Sequence, residues 1–300
     1  MNMKQNLSIG EIVKCLPDIA AYHARTSHIY KVMDKVARDV VHASNFRDPS
    51  GSANSLGGFG DIRLPFTKMG TINTLDLFGL DELIIFSFYW TNRSRYRTVA
   101  DIGANIGLHS ILMSRCGWRV KAYEPDPIHA GLLRRNLGLN DVTSVELTEA
   151  AVSDRPGTLE FVRVLGNTTG SHLAGAKQNP YGELQRFPVD VVAIDKIMLS
   201  ADFVKMDVEG QEATIILSTS EDHWTGTDMM VEVGTAENAG AIFKHLTALG
   251  INAYAQKLGW ERVVSVHEMP TSYKEGSLFI TRKAQMSWTD AGSTNEHTYL

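Results

Sequence analysis

The sequence has little of what several classes of protein require. Its 300 residues include two cysteines, Cys15 and Cys116, which support neither a disulfide framework nor a cysteine-rich metal site. It also lacks an excess of basic residues, because the formal net charge is -5 and the isoelectric point is near 6.1. A nucleic-acid partner is therefore not expected.

Long apolar runs are missing as well. The longest, LIIFSFYW at residues 83–90, is far shorter than the roughly 20 residues that a membrane-spanning helix needs. The opening residues, MNMKQNLSIGEIVK, show no basic segment followed by an apolar core, so no signal peptide is expected. These absences predict a cytoplasmic, soluble protein, and the apolar content of 43% is enough for one large core.

The first third of the chain reads as mainly helical. Apolar residues at three- and four-residue spacing predict a helix within residues 8–44: Ile29, Val32, Val36 and Val40. The segment SGSANSLGGFG at 50–60 has the composition of a loop. DLFGLDELIIFSFYW at 76–90 predicts a buried helix beside the first strand of the sheet.

Beyond Arg97, short β-rich runs alternate with helical ones, which is typical of a parallel sheet covered on both faces. The strands are predicted at 98–102, 119–124, 143–151, 202–207 and 228–233. The helices are predicted near 107–116, 127–138, 210–219 and 236–249. The last two strands, at 251–257 and 276–282, have no helix between them and predict an antiparallel edge.

The predicted organisation has four parts. An N-terminal helical arm with its Gly/Ser-rich loop occupies 1–60, and a helical lead-in packed on the core occupies 61–97. The main α/β domain occupies 98–283, and a tail occupies 284–300. An insertion at 157–194 interrupts the strand–helix alternation of the main domain.

A glycine-rich turn, DIGANIG at 101–107, predicts the ligand. Gly103 and Gly107 allow the backbone to approach a ligand closely, but the spacing differs from the G-x-G-x-x-G of dinucleotide folds. Asp101 would repel a pyrophosphate and suits a cationic group. Glu124 follows at the end of the second strand, where an acid commonly accepts hydrogen bonds from ribose hydroxyls.

An adenosine that carries an amino-acid tail satisfies both acids, so the sequence predicts S-adenosylmethionine as the cofactor. The alternative is that Asp101 and Glu124 only cap helices while the glycines tighten turns. Asp126, in EPDP, fits the N-cap of a helix that begins at Pro127.

At this point the chain resembles the FkbM family of S-adenosylmethionine-dependent methyltransferases. The likeness covers residues 98–234 in order and is carried by five segments: DIGANIG at 101–107, EPDP at 124–127, AAVSDRPGTLEF at 150–161, VVAID at 191–195 and KMDVEGQE at 205–212. The resemblance implies a Rossmann-like class I methyltransferase fold with a mostly parallel seven-stranded sheet and an antiparallel C-terminal hairpin.

The resemblance also assigns cofactor-binding residues. Asp101, Gly103, Asn105 and Gly107 would surround the methionine part of the cofactor, Glu124 its ribose, and Ala150 with Ala151 its adenine.

The candidate catalytic residues lie in KMDVEG, in MMVEVG and on the insertion. Alternation would place Lys205, Asp207 and Glu209 on one face if the strand continued that far, with Glu232 beside them. Crowded carboxylates favour a raised pKa and therefore a general base. The alternative is that Lys205 pairs with Asp207 while Glu209 caps the next helix.

His172, in the insertion's GNTTGSHL, has the ordinary pKa best suited to a base, although a solvated loop histidine is the competing interpretation. Its neighbours Asn167, Thr168, Thr169 and Ser171 offer hydrogen bonds to a hydroxylated acceptor. A divalent cation is possible at the carboxylates, but no compact ligand spacing identifies one.

Together these patterns predict O-methylation of a hydroxyl on a sugar, glycan or secondary metabolite. The alternatives are N-methylation of an amide or amine, and a non-catalytic binding module that keeps the cofactor fold. A nicotinamide dehydrogenase is disfavoured by the missing third glycine of its fingerprint. A homo-oligomer is possible.

Overall fold

A computed structural model describes residues 7–177, 182–286 and 288. Its N-terminal third contains α1 (Ile9–Cys15), α2 (His28–Ala43), β1 (Ala53–Ser55), β2 (Asp61–Arg63), β3 (Lys68–Met69), β4 (Ile72–Asn73) and α3 (Leu80–Thr91). The helix predicted within 8–44 is therefore two helices. Between them lies a 3₁₀ turn, Leu16–Tyr22, with Pro17 in its first turn and non-helical dihedrals at Ile19, so the chain cannot continue as one α-helix.

The segment 50–60, predicted as a loop, contains β1, and two of its apolar side chains, Leu56 and Phe59, are buried. The predicted buried helix of the lead-in is α3, which buries a continuous run from Leu83 to Tyr89. None of the helices in the described parts of the chain is long and apolar enough to cross a membrane.

The main domain follows the predicted order closely. It consists of β5 (Thr98–Ile102), α4 (Leu108–Arg115), β6 (Arg119–Tyr123), α5 (Pro127–Leu139), β7 (Val145–Thr148), β8 (Ala151–Ser153), β9 (Gly157–Val164), β10 (His172–Leu173) and β11 (Leu184–Ala193). It continues with α6 (Ile194–Met198), β12 (Phe203–Met206), α7 (Glu212–Leu217), β13 (Asp228–Glu232), α8 (Ala236–Leu249), β14 (Asn252–Ala255), β15 (Glu261–Arg262) and β16 (Ser277–Thr281).

The central sheet has eight strands in the order β15-β14-β16-β13-β12-β5-β6-β7. Strands β7, β6, β5, β12 and β13 run parallel, and β16 is antiparallel to both β13 and β14. The predicted α/β fold class is thus confirmed, with eight strands in the central sheet where seven were expected. In detail, β16 lies inside the sheet, and the short β15 forms the edge because a tight turn at Gly259 (φ 68°) returns the chain onto β14.

The strand predicted at 143–151 is split. β7 ends at Thr148, and β8 joins a second sheet in the order β10-β9-β11-β8. This second sheet is built mainly by the insertion. Its longest pairing is antiparallel and joins β9 to β11, with Gly157 opposite Val191 at one end and Val164 opposite Leu184 at the other. It therefore stands beside the carboxyl ends of the central strands and carries a wall of the cofactor pocket.

One apolar cluster unites the N-terminal third with the central sheet. Ile12, Phe46 and Phe86 belong to the same buried cluster as Phe203 and Phe279, which lie on the sheet. A second cluster covers the opposite face under α7 and α8. Of the predicted tail 284–300, residues 287 and 289–300 lie outside the described residues.

Polar contacts also fasten the N-terminal third to the C-terminal strands. The indole N–H of Trp260 donates to Nδ1 of His23 at 2.9 Å. The side-chain amide of Gln256 donates to the carboxylate of Asp81 at 2.5 Å. Burial lowers the pKa of His23 to about 4, so this ring is neutral at pH 7 and can accept the indole proton.

Candidate active site

The glycine-rich turn joins β5 to α4 and supplies two unused acceptors. Asp101 is fully buried at the end of the strand, and its Oδ2 accepts a hydrogen bond from Ser110 Oγ at 2.6 Å. Within the described chain, its Oδ1 has no hydrogen-bond partner, and neither does the buried Oδ1 of Asn105. Buried acceptors without donors are costly. Asn105 lines the pocket and Asp101 lies directly behind the lining residues without being one of them, so the Asn105 oxygen is the one placed to meet an ammonium group.

The two glycines of the turn are required by the protein's own packing. Gly103 has φ 76°, and a Cβ there would overlap the carbonyl oxygen of Asp207, so its absence allows the ends of β5 and β12 to meet. Gly107 has φ 89°, and a Cβ would lie 2.8 Å from Cγ of Leu133 on α5. We expected these glycines to make room for a ligand, but the space is occupied by neighbouring elements.

Glu124 closes the turn from the next strand. Its Oε2 accepts the backbone N–H of Asn105 at 2.7 Å, and its Oε1 accepts that of Asp126 at 2.8 Å. Burial raises the pKa of Glu124 to about 8. At least one oxygen keeps a free lone pair in either protonation state, so the carboxyl group can still accept a hydrogen bond from a ribose hydroxyl.

A pocket of about 620 Å³, part of it open to solvent, connects these residues. Its apolar walls include Ala150 and Ala151, the two residues expected near the adenine, together with Tyr123, Phe161 and Leu173. A planar, largely apolar base between such side chains is a normal arrangement for a nucleoside site. Five of the seven predicted cofactor residues line the pocket, namely Gly103, Asn105, Glu124, Ala150 and Ala151.

Asp126 has two roles, of which sequence reasoning found one. It is the N-cap of α5, as predicted, accepting the backbone N–H of Ile128 at 2.8 Å. It also receives two hydrogen bonds of 2.6 Å from the guanidinium of Arg163 on β9. Burial opposes ionisation, but these hydrogen bonds prevail and lower the pKa of Asp126. Nothing in the local sequence signals a partner 37 residues away.

The acceptor side differs from the predicted strand geometry. β12 ends at Met206, so Glu209 is reached through a turn in which it has φ 53°. Lys205 pairs with Asp207 at 3.7 Å, which is the alternative considered for that residue. Glu209 does not cap α7, whose N-cap is Gln211 with no side-chain hydrogen bond.

Glu209 instead joins a cluster that includes a residue missed by sequence reasoning. Lys177 Nζ lies 2.5 Å from Glu209 Oε2 and 3.2 Å from the carbonyl oxygen of Gly170. The same carbonyl lies 3.1 Å from His172 Nδ1. Burial raises the pKa of Glu209 to about 7, with the nearby Asp207 acting in the same direction and Lys177 opposing.

His172 is not a solvated loop residue. It lies on β10, is 2% exposed and lines the pocket with Asp207 and Glu209. Because a carbonyl oxygen only accepts, the contact with Gly170 places the ring proton on Nδ1 and leaves Nε2 as an acceptor. Burial lowers the pKa of His172, so the ring is neutral at pH 7.

The fourth candidate, Glu232, ends β13 on the same face as Lys205. It is not among the residues that line the pocket. Burial, and next the charge of Asp207, raise the pKa of Glu232 well above its usual range. In the described parts of the chain, no group of three or more His, Cys, Asp or Glu side chains forms a metal site.

Comparison with known proteins agrees with this geometry. The model of the methyltransferase FkbM domain matches residues 101–252, about half of the chain. The chain belongs to this family. Membership confirms the predicted family, fold class and cofactor, S-adenosylmethionine, while the domain bounds of 98–283 stay a prediction.

Two curated relatives are methyltransferases. The chain is 31% identical over 160 residues to methyltransferase sdnD of Sordaria araneosa, covering 42% of this chain and 61% of that protein. It is 24% identical over 155 residues to methyltransferase 1 of Beauveria bassiana, covering 44% and 62% respectively. The matched part of this FkbM-family chain thus spans about three fifths of either relative.

A solved structure with a similar arrangement is the SAM-dependent methyltransferase from Agrobacterium tumefaciens. It is 8% identical, has a TM-score of 0.41, and the match covers 78% of this chain and 70% of that one. These values are too low to add to the assignment to the FkbM family.

Proposed function

We propose that this FkbM-family protein transfers a methyl group from S-adenosylmethionine to a hydroxyl of a sugar, a glycan or a secondary metabolite. The observation that carries the proposal is Glu209, a carboxyl group in the pocket wall whose pKa is raised by burial to about 7. An alcohol must lose a proton when it is methylated, and a base with a pKa near the working pH is the most effective acceptor.

The cofactor side of the pocket would bind S-adenosylmethionine and orient it. Asn105 would hold the ammonium group through its unpartnered oxygen, with the charge of the buried Asp101 behind it, Glu124 would hold the ribose hydroxyls, and Ala150 with Ala151 the adenine. When bound, S-adenosylmethionine supplies an electrophilic methyl group on a sulfonium.

The acceptor side activates the hydroxyl. Glu209 accepts the proton, while Lys177 limits its mobility through their ion pair. His172 presents Nε2 as a second hydrogen-bond acceptor. Most of the rate enhancement in such a displacement comes from holding the reacting oxygen in line with the methyl group, and Thr168, Thr169 and Ser171 provide polar contacts for that purpose.

Charge favours a neutral acceptor. Asp207 and Glu209 line the pocket together, whereas Glu232 is not among the lining residues and its raised pKa keeps it uncharged. A phosphate or carboxylate on the acceptor would be repelled by these two pocket acids in their charged forms. A polyhydroxylated neutral compound fits this mixture of carboxylates, hydroxyls and one histidine.

The test is a methyl-transfer assay with methyl-labelled S-adenosylmethionine and a panel of neutral sugars, sugar phosphates, polyketide alcohols and amines. We expect label on neutral hydroxyl compounds, with retention through mild acid and base that would hydrolyse a methyl ester. Label confined to amines would contradict O-methylation. The Glu124→Gln variant serves as the cofactor-binding control. The cytoplasmic location and a homo-oligomer stay predictions from the sequence.

A further inference from the structure

The loop at 166–171 carries much of the acceptor side but has little secondary structure of its own. It lies between β9 and the two-residue strand β10, and Thr168, Thr169 and Ser171 line the pocket. A loop of this kind needs contacts from outside to keep one conformation, because loops are the more mobile parts of a fold.

A hairpin from outside the family domain supplies such a contact. β3 and β4 pair through Lys68–Asn73 and Met69–Ile72, leaving Gly70 and Thr71 as a two-residue turn. The N–H of Thr71 donates to the carbonyl oxygen of Gly166 at 2.8 Å. Gly70 also forms an antiparallel bridge with Asn167. The tip of the hairpin therefore continues into the start of the loop as a small piece of sheet.

Gly70 is the residue that allows this approach. It has φ 84°, as required at the first position of a type II′ turn. A Cβ there would overlap the carbonyl oxygen of Gly166 and lie 2.6 Å from the nitrogen of Asn167. The close contact between the two backbones thus depends on the absence of a side chain.

The hairpin itself is firmly held. Met69 is 2% exposed and belongs to the large apolar cluster. Thr74, which follows β4, is fully buried, accepts the N–H of Thr67 at 2.8 Å and donates from its backbone to Thr67 at 3.1 Å. The far side of the loop is tied to α5, since Thr168 Oγ1 lies 2.9 Å from His129 Nε2.

We propose that the hairpin at 68–73 positions the acceptor loop of the methyltransferase domain, and that Gly70 is a positioning residue for acceptor binding. The contacts of Thr71 with Gly166 and of Gly70 with Asn167 support the positioning of the loop. That the positioned loop holds the acceptor rests on the proposed function. The N-terminal third of the chain would then contribute to acceptor selection without itself reaching the reacting atoms.

The chain offers a matched control. Gly60 also has a positive φ, 75°, but nothing lies within 4 Å of the position of its Cβ. Gly60→Ala therefore places an alanine at a similar positive φ without the overlap with the loop. Thermal unfolding of both variants and titration with S-adenosylhomocysteine show whether each is folded and binds the cofactor product.

Hydrogen exchange gives the readout that does not require activity. In Gly70→Ala we expect the amides of residues 166–172 to exchange about 5- to 10-fold faster than in Gly60→Ala, because the hydrogen bond from Thr71 is lost. Equal exchange in the two variants would overturn the proposal. In the unaltered protein the Thr71 amide should be protected, and free exchange there would overturn it even if Gly70→Ala failed to fold.

Kinetics then distinguishes the positioning of the loop from the binding of the acceptor. On an acceptor identified in the labelling assay, Gly70→Ala should raise KM for the acceptor several-fold more than it lowers kcat, with the affinity for S-adenosylhomocysteine unchanged. One outcome would contradict the proposed function and leave the positioning role intact. In that outcome the amides of residues 166–172 exchange faster in Gly70→Ala, but the unaltered protein transfers no methyl group to any hydroxyl.

Discussion

At the scale of single residues, the acceptor side combines groups with opposite tendencies. Burial keeps Glu209 protonated up to a pH near 7, while the ion pair with Lys177 favours its charged form. His172 is kept neutral by burial. Two proton acceptors of different chemistry thus face one pocket, and substitution can distinguish which of them takes the proton.

Glu209→Gln is expected to lower kcat by roughly 10²- to 10⁴-fold, because the amide retains the volume but cannot accept the proton. The rate of the unaltered enzyme should rise with pH through about 7, as Glu209 loses its proton, and the variant should lack this rise. Steady-state kinetics between pH 5.5 and 9 measures both, with calorimetry showing unchanged cofactor affinity. Glu237→Gln, at an exposed acid on α8, is the control. A larger loss in His172→Ala would move the base to the histidine.

Glu124→Gln should weaken the binding of S-adenosylmethionine by about 1–3 kcal/mol. The new amide nitrogen must face either the N–H of Asn105 or that of Asp126, both of which now donate to the carboxylate. One buried donor is then left without an acceptor. Calorimetry measures the change, and Glu146→Gln, at an exposed acid on β7, controls for charge alone. Unchanged affinity would place the ribose elsewhere.

At the scale of elements, the second sheet is joined to the start of α5 by the ion pair between Arg163 and Asp126. Both side chains are at least 90% buried, and Arg163 also donates to Gln185 at 2.6 Å and stacks over Phe187. Such a pair fixes the position of β9 relative to the start of α5. The pair therefore ties Phe161, a pocket residue on β9, to Asp126 at the other side of the pocket lining.

Arg163→Leu should lower the free energy of unfolding by about 3–5 kcal/mol, since it leaves the carboxylate of Asp126 buried without its partner. Strands β9 and β11 carry a control pair at exposed positions, Glu160 with Arg186 at 2.6 Å. Arg186→Leu should cost less than about 1 kcal/mol. Denaturant unfolding compares the two variants. Similar losses of unfolding free energy in the two variants would show that the buried pair stabilises the protein no more than the exposed pair does.

The sequence predicts elements best where local chemistry decides their limits. α8 lies at 236–249 as expected, because Thr235 caps its start and Gly250, in a left-handed conformation, ends it. β5 also lies where predicted. The missed features are contacts between distant segments: Lys177 with Glu209, Arg163 with Asp126, and the hairpin with the loop. A single sequence carries periodicity and capping signals, but it does not say which distant side chains meet.

At the scale of the whole molecule, binding of the cofactor should be visible as stabilisation. S-adenosylmethionine and S-adenosylhomocysteine should raise the midpoint of thermal unfolding, since a ligand that binds only the folded state stabilises it by mass action. NAD should not, because the buried Asp101 opposes a pyrophosphate at the turn. Scanning fluorimetry with the three compounds is the measurement. A shift with NAD alone would contradict the assignment of the pocket.

The stability of the cofactor-free protein should depend on pH through Glu124. Its pKa is about 8 in the folded state and about 4.3 when unfolded, so the folded protein binds the proton more tightly. The associated stability is complete below pH 4 and is lost as pH rises through about 8. Unfolding in denaturant at pH 5 to 8.5 should show this decline, and Glu124→Gln should make it shallower.

The shared apolar cluster has a consequence for how the protein is made. Ile12, Phe46 and Phe86 leave the ribosome before Phe203 and Phe279, with which they share one buried cluster in the folded protein. At a synthesis rate of about 5–20 residues per second, the wait from Phe46 to Phe279 is roughly 10–50 s. During that time the early helices present apolar surface with no partner from the sheet. We therefore expect synthesis to be the stage at which the N-terminal third exposes most apolar surface.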